Sequence, residues 1–233
     1  MLGRHRGRVR EDRERTPSGG QAVTFRFADE TRTVCIIAGG PSVTETAAKC
    51  CVGYPTIAVN DAYRLAPWAD VLYACDDRWW DHHIGKLRGR FAGQLWTQAR
   101  TSAERYGLNW ICGESKDGLC KQPHRIHFGQ NSGYQAINLA YHWEAKRLVL
   151  LGFDCKQTDK THWFGAHPKG LEQKHPYQSW IRNFARLAAD LKREGIEVIN
   201  CSMDSALTCW PKVSVEVALA RVCPDPAAAL LPA

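Results

Sequence analysis

The chain predicts an α/β protein, a mostly parallel sheet with helices on both faces. Three observations lead there. Short apolar runs rich in β-branched residues recur at 34–38, 56–60, 71–75, 147–151 and 196–200, as in strands covered on both faces. Helix candidates at 42–51, 132–144 and 176–194 lie between them, the last two with apolar residues at helical spacing. Third, Val34-Cys-Ile-Ile-Ala-Gly-Gly-Pro-Ser-Val-Thr-Glu45 runs from a buried strand through a glycine turn into a capped helix. Strands alternating with helices argue a parallel, doubly covered sheet of the Rossmann-like kind.

Each element has its own reason. Residues 1–21 form a basic tail expected to be disordered, and Ala22–Phe27 is a candidate edge strand. After 34–38, Ser42 and Glu45 have the spacing of a capping box, which starts a helix at Ser42. The strand at 56–60 ends in Asn60-Asp61, and that at 71–75 runs into Asp76-Asp77. Residues 78–131 are less regular and rich in Trp, Gly and His, and 155–175 is a second polar, His-rich loop; together they suggest a His/Trp-rich lid. The helix at 176–194 stops at Gly195, a C-terminal signal. One domain over 22–222 and a flexible tail over 223–233 complete the division.

A length of 233 residues suits one domain with a sizeable core. No apolar run is long enough to span a membrane, and the charged N-terminus has no secretory core. The ten cysteines scatter without framework spacing, and Cys35, Cys75 and Cys112 sit in apolar runs as small hydrophobes. A reduced cytoplasm is expected. The formal net charge is +7, of which +3 lies in residues 1–20, where six Arg face Glu11, Asp12 and Glu14. Such a tail is a solvated extension or a tether to nucleic acid.

Several segments, in order, resemble one group. Ala38-Gly-Gly-Pro-Ser42 resembles the opening glycine motif of bacterial sialyltransferases of the Campylobacter type. It is also similar to the nucleotide-binding domain of unknown-function family 115, which includes pterin pyrophosphokinases. Val59-Asn-Asp-Ala-Tyr63 resembles the sialyltransferase segment whose Asn touches ribose. Asn131-Ser-Gly-Tyr134, with Leu150-Leu-Gly-Phe-Asp154 after it, resembles that family's small-residue turn, helix and strand end. His162-Trp-Phe-Gly-Ala-His167 is similar to the loop carrying its catalytic base, and Ile199–Ser205 to its closing strand and turn. The resemblance covers about 33–215, and residues 200–212 are also similar to phage and prophage proteins of this fold, which implies a bacterial host cytoplasm. The glycine motif here is one residue shorter and lacks the family's Asn, and Ala166 is an insertion.

The resemblance implies a nucleotide-sugar-dependent glycosyltransferase acting on an acceptor hydroxyl of a glycan or a phage-modified DNA base, the latter held through the Arg-rich tail. His167, with His162 second, is then the general base, since imidazole titrates near neutral pH; the plain alternative is surface histidines. Gly39, Gly40 and Ser42 offer backbone donors and a helix dipole to a phosphate, or are a tight turn. Asn60 and Asp61 suit ribose hydroxyls, or Asp61 caps the next helix. Ser132 and Gly133 suit a phosphate, or Ser132 is an N-cap. Asp76 and Asp77 suit acceptor contacts or Mg²⁺. The resemblance to the sialyltransferases implies no resident cofactor or metal, only the nucleotide sugar as donor. The alternatives are an ATP- and Mg-dependent pyrophosphokinase, with metal at Asp76 and Asp77, and an inactive nucleotide-binding phage protein. Cys112, Cys120, His124 and His127 lack zinc-finger spacing and read as unrelated residues. Trp79, Trp80, Trp96 and Trp110 read mainly as core.

Overall fold

The structure is a computed structural model that describes residues 32–87, 89–171 and 175–220. The tails and the candidate edge strand Ala22–Phe27 lie outside the described residues. Strand β1 (Thr33–Ile37) is buried throughout, and its alternating side chains divide the core. Val34 and Ile36 join one layer with α4 (Ser132–His142) and α5 (Tyr177–Arg193). Cys35 and Ile37 join the other with α1 (Glu45–Lys49), α2 (Asp77–Leu87), α3 (Arg100–Tyr106) and α6 (Val215–Leu219). An apolar strand with no polar alternation is what such two-sided burial requires.

The remaining strands of the main sheet are β2 (Thr56–Val59), β3 (Val71–Tyr73), β4 (Gln94–Thr97), β5 (Asn109–Trp110), β8 (Arg147–Leu151) and β9 (Glu197–Asn200). Their order is β5-β4-β3-β2-β1-β8-β9, parallel throughout. Ile36 sits in register between Ile57 and Leu150. The chain builds outward from β1 to β5, then returns to place β8 on the other side of β1. The carboxyl ends of β1 and β8 therefore flank the topological switch point, where open α/β sheets bind ligands.

The stretch 78–131 is more regular than its sequence suggests. It holds α2, β4, α3 and β5, and a separate parallel pair, β6 (Cys112–Glu114) with β7 (Arg125–His127). The buried face of α2 is made by Trp79, Trp80, His83 and Leu87, so its apolar period is interrupted by a histidine. Helix α1 begins later than the capping box implies. Thr44 is the N-cap, accepting from Ala47 N at 3.1 Å, while the Ser42 hydroxyl is drawn to Asp154. Helix α5 buries Phe184, Leu187 and Leu191 and stops where Gly195 takes φ +70°, as its sequence predicts.

Among the described residues eight cysteines are free thiols, the buried Cys35, Cys51 and Cys120 among them. Cys50 is disulfide-bonded, a departure from the expected reduced set. Cys112, Cys120, His124 and His127 do not gather: His127 Nδ1 bonds Gly118 O and the Arg125 guanidinium lies against Cys112. No helix among the described residues is long and apolar enough to cross a membrane.

A buried side chain of α4 helps fasten the β6–β7 pair to that helix. Asn138 Oδ1 accepts from Cys120 N (3.0 Å) and His127 N (3.3 Å), and its Nδ2 donates to Cys120 O (2.9 Å). Asn138→Leu leaves these backbone groups without partners in the core, and each orphaned group costs about 1–3 kcal/mol. The expected outcome is a loss of about 2–4 kcal/mol, read from the urea midpoint at unchanged m-value.

Candidate active site at the carboxyl edge of the sheet

The turns after β1 and β8 run side by side. Ala38 N donates to Leu151 O at 2.8 Å and Gly40 N to Gly152 O at 3.0 Å, so strand pairing continues into both turns. The Ser42 hydroxyl donates to Asp154 Oδ2 at 2.9 Å, and Asp154 is buried. Burial pushes the Asp154 carboxyl up from its ordinary value, partly offset by the Ser42 hydrogen bonds. A Cβ on Gly40 would overlap the Asp154 carboxylate and the Gly152 carbonyl oxygen. Glycine at 40 thus serves the approach of β8's turn, whereas the sequence suggested the approach of a ligand. Its N–H, expected to face a phosphate, is committed to Gly152 O.

The 155–175 loop returns to this junction. His162 Nδ1 lies 3.1 Å from Gly39 O, and Trp163 N donates to the same carbonyl at 3.3 Å. A carbonyl only accepts, so Nδ1 carries the proton and Nε2 keeps its lone pair in the neutral ring. That Nε2 is buried with no hydrogen-bond partner. His162 stacks on Phe164 with ring centroids 4.9 Å apart; His167 lies at 4.5 Å and His175 at 5.5 Å. Burial, then the charge of His167, lowers the His162 pKa to about 4. The same two causes lower His175. The three histidines are therefore one coupled group in which a proton on His167 opposes protonation of either neighbour.

The other strand ends complete the edge. Asn60 follows β2 with φ +52°, a left-handed conformation, and its side chain makes no hydrogen bond among the described residues. Asp61, by contrast, turns into the α2 layer, 3% exposed, where its Oδ2 accepts from Trp79 Nε1 at 3.0 Å. Arg64 Nη1 lies 3.6 Å from Oδ1 and His83 Nε2 3.8 Å from Oδ2. Asp61 thus anchors the Asn60–Arg64 turn, a role the ribose and capping readings both missed. The N-cap of α4 is Asn131, whose Oδ1 accepts from Gly133 N (2.8 Å) and Tyr134 N (3.1 Å). Ser132 instead places its Oγ 3.0 Å from Cys75 Sγ, joining the α4 start to the end of β3. Gly133 faces the Phe153 ring, 2.8 Å from where a Cβ would stand.

Asp76 and Asp77 go to separate partners. Asp77 Oδ1 accepts from Ser102 Oγ and N, at 2.5 and 3.1 Å, tying α2 to α3. Asp76 accepts from Arg78 N at 2.9 Å. Of the tryptophans, Trp79 and Trp80 are buried, while Trp96 and Trp110 are half-buried.

Beside the His loop opens a cleft of about 620 Å³. Asp61, Tyr63 and Arg64 form one wall, His82, His83 and Lys86 of α2 a second, and Phe164, Ala166 and Pro168 a third; Arg90 stands at the rim. Arg64 lies over the Trp163 and Phe164 rings, at 5.1 and 5.7 Å, so this wall and the His loop are held together by cation–π contact. Neither Arg64, Lys86 nor Arg90 stood out in the sequence, where they are scattered over 27 positions.

The described fold is matched by solved structures. The chain has a sialyltransferase-like fold. It is similar to the monofunctional α-2,3-sialyltransferase Cst-I of Campylobacter jejuni, with a TM-score of 0.55 over 84% of this chain and 85% of that one, at 11% identity. A second solved structure, an α-2,3-sialyltransferase from Campylobacter jejuni in apo form, aligns over the same shares with a TM-score of 0.49 and 12% identity. No family model matches the chain, and no curated protein sequence matches it. Likeness at this identity speaks for the sialyltransferase-like fold; the site rests on the residues above.

Neighbouring glycines make the first test. Gly40→Ala is expected to destabilise by about 2 kcal/mol or more, through overlap with Asp154 and Gly152. At Gly39 the nearest atom to a Cβ is His162 Nδ1, at 3.3 Å, with His162 Cε1 and Phe164 Cε1 in ordinary contact at 3.9 Å. Gly39→Ala should therefore fold with much smaller loss, and thermal unfolding of the two variants gives the comparison.

Acid stability makes the second. His83 stacks on Trp79 at 4.3 Å, and burial lowers its pKa to about 4 against the pull of Asp61. His162 is lowered to about 4 as well. Both folded-state values lie below that of a free histidine, so the unfolded chain binds protons first as pH falls. Their contribution is whole above about pH 6.5 and lost as pH falls through about 4. In His83→Phe, urea unfolding at pH 7 and pH 5 should show a smaller stability difference than in wild type.

Proposed function

We infer that the chain is a glycosyltransferase that moves a sugar from a nucleotide donor to an acceptor hydroxyl. The observation that carries this reading is the docking of His162 on the Gly39 carbonyl, which brings His162, His167 and His175 to the switch point of a sialyltransferase-like fold. Ligands of open α/β sheets lie in that crevice, and a general base belongs within reach of an acceptor placed there.

The residues divide the work as follows. His167 takes the acceptor proton as its oxygen attacks the anomeric carbon and the bond to the donor phosphate breaks. His162, fixed by Gly39 O and neutral at pH 7, packs against His167 without placing a second positive charge beside it. Asn60, with its amide uncommitted at the end of β2, contacts the donor ribose. The start of α4, Ser132 and Gly133, lies nearest the leaving phosphate, where a helix N-terminus favours negative charge. Gly39 and Ser42 border the nucleotide, while Gly40 and Asp61 hold the frame. The donor is a nucleotide sugar, and the transfer uses no resident metal. An ATP- and Mg-dependent reaction at Asp76 and Asp77 would require both carboxylates to leave Arg78 and Ser102.

His167→Ala should lower turnover roughly 10²–10⁴-fold, the usual share of a general base. Donor affinity, read by nucleotide titration, should barely change. The wild-type rate should fall as pH drops through the titration of the histidine group. Full activity in both His167→Ala and His162→Ala, with any nucleotide sugar that wild type accepts, would falsify the loop's catalytic role.

A further inference from the structure

Among the described residues, the cleft beside the His loop carries more positive charge than its one carboxylate, paired with Arg64, can neutralise. Arg64, Lys86 and Arg90 line it, and the carboxylate facing it is that of Asp61. Asp61 is buried and already accepts from the Trp79 indole. Asp81, the other acid of α2 beyond its first turn, is turned to α3, where Oδ1 accepts from Arg105 Nη1 (2.9 Å) and Tyr106 OH (2.5 Å). Lys86 and Arg90 have no carboxylate partner among the described residues. Lys86 Nζ lies instead 2.6 Å from His82 Nε2. Of the nearby acids among the described residues, Asp61 pairs with Arg64 and Asp81 is turned to α3. Low-dielectric walls concentrate the resulting field inside the cleft.

Shape narrows the ligand. A volume of about 620 Å³ fits a small molecule or the end of a chain. The cations converge on one concavity, while a nucleic-acid strand needs them spaced along a track. Tyr63 and Phe164 give the walls aromatic surface, suited to the faces of sugar rings. Ala166 and Pro168 bracket His167 in sequence and line the same cleft, so a ligand seated here lies next to the histidine group.

We propose that this cleft is the acceptor subsite and selects an acidic sugar, one bearing a phosphate or carboxylate that Arg64, Lys86 and Arg90 receive. The acceptor part of this proposal rests on the glycosyltransferase reading; the anion-selective sugar site does not.

The test is calorimetric titration of the full chain with glucose, glucose 6-phosphate, glucuronic acid, inorganic phosphate and a short single-stranded DNA, at low and at moderate salt. Glucose 6-phosphate and glucuronic acid should bind at least about tenfold more tightly than glucose, and less tightly as salt rises. The double variant Lys86→Gln/Arg90→Gln should erase that preference while melting at the wild-type temperature, since both side chains are exposed. Equal binding of glucose and its acidic relatives overturns the proposal, as does a double variant that keeps the preference. Inorganic phosphate binding as tightly as glucose 6-phosphate overturns sugar recognition, and tighter binding of DNA through the same two residues overturns the choice of a glycan. Nucleotide-sugar titration and transfer assays on the wild-type chain report separately on the glycosyltransferase reading. Acid-sugar binding without any nucleotide-sugar binding would remove that reading and the acceptor role, leaving the anion site.

Discussion

The turns after β1 and β8 can lie side by side only because no side chain stands between them. Gly40 presents its N–H to the Gly152 carbonyl, and Gly152 takes φ +74°, with Ala38 O 2.7 Å from where its Cβ would be. That approach pairs the two turns backbone to backbone at the switch point. It holds Asp154 against Ser42, turns Gly39 O outward, and so offers the His loop its anchor. Every later feature of the site depends on this contact: His162 finds a carbonyl there, Trp163 adds a second hydrogen bond, and Arg64 then covers the Trp163 and Phe164 rings.

Charge is distributed around that anchor in an uneven way. On the side of β8, Asp154 is buried and its carboxyl is pushed up, so the negative form is resisted. Over the glycine turn, burial resists the positive form of His162 and His175. The cleft beyond keeps three cations with one buried carboxylate. Neutral His162 beside a cleft whose Lys86 and Arg90 lack a carboxylate partner among the described residues favours a negatively charged species there; the α2 carboxylates Asp77 and Asp81 are directed to Ser102 and Arg105, and Asp61, which lines the cleft, is held by Trp79 and Arg64.

The sequence discloses the centre of this protein better than its periphery. Strands β1, β2 and β8 are apolar on both faces, so their burial appears as unbroken runs that need no tertiary information. Helix α5 has a clear period and a glycine stop. Helix α2 was hidden because His83 fills a core position normally taken by an aliphatic side chain. The capping box at Ser42 failed for a tertiary reason, since Asp154, 112 positions away, draws the hydroxyl elsewhere. The histidines were legible as a cluster because they lie in one loop. Arg64, Lys86 and Arg90 were not, because a turn, a helix and the segment after it must first fold together.

A backbone carbonyl behind a histidine does different work from a carboxylate. A carboxylate orients the ring and also stabilises its charged form, raising the pKa. Gly39 O orients the ring through Nδ1–H with only a dipole, and burial then governs, so His162 stays neutral. A ring so held gives His167 a fixed neighbour that does not compete for a proton, and under the proposed mechanism a charge formed on His167 would be opposed by the cations beyond Phe164. An anionic group seated among those cations would cancel their repulsion of that new charge. In this arrangement an acidic acceptor would do more than fit: its own charge would ease the proton transfer that its hydroxyl requires, so binding selectivity and base strength would be set by the same three side chains.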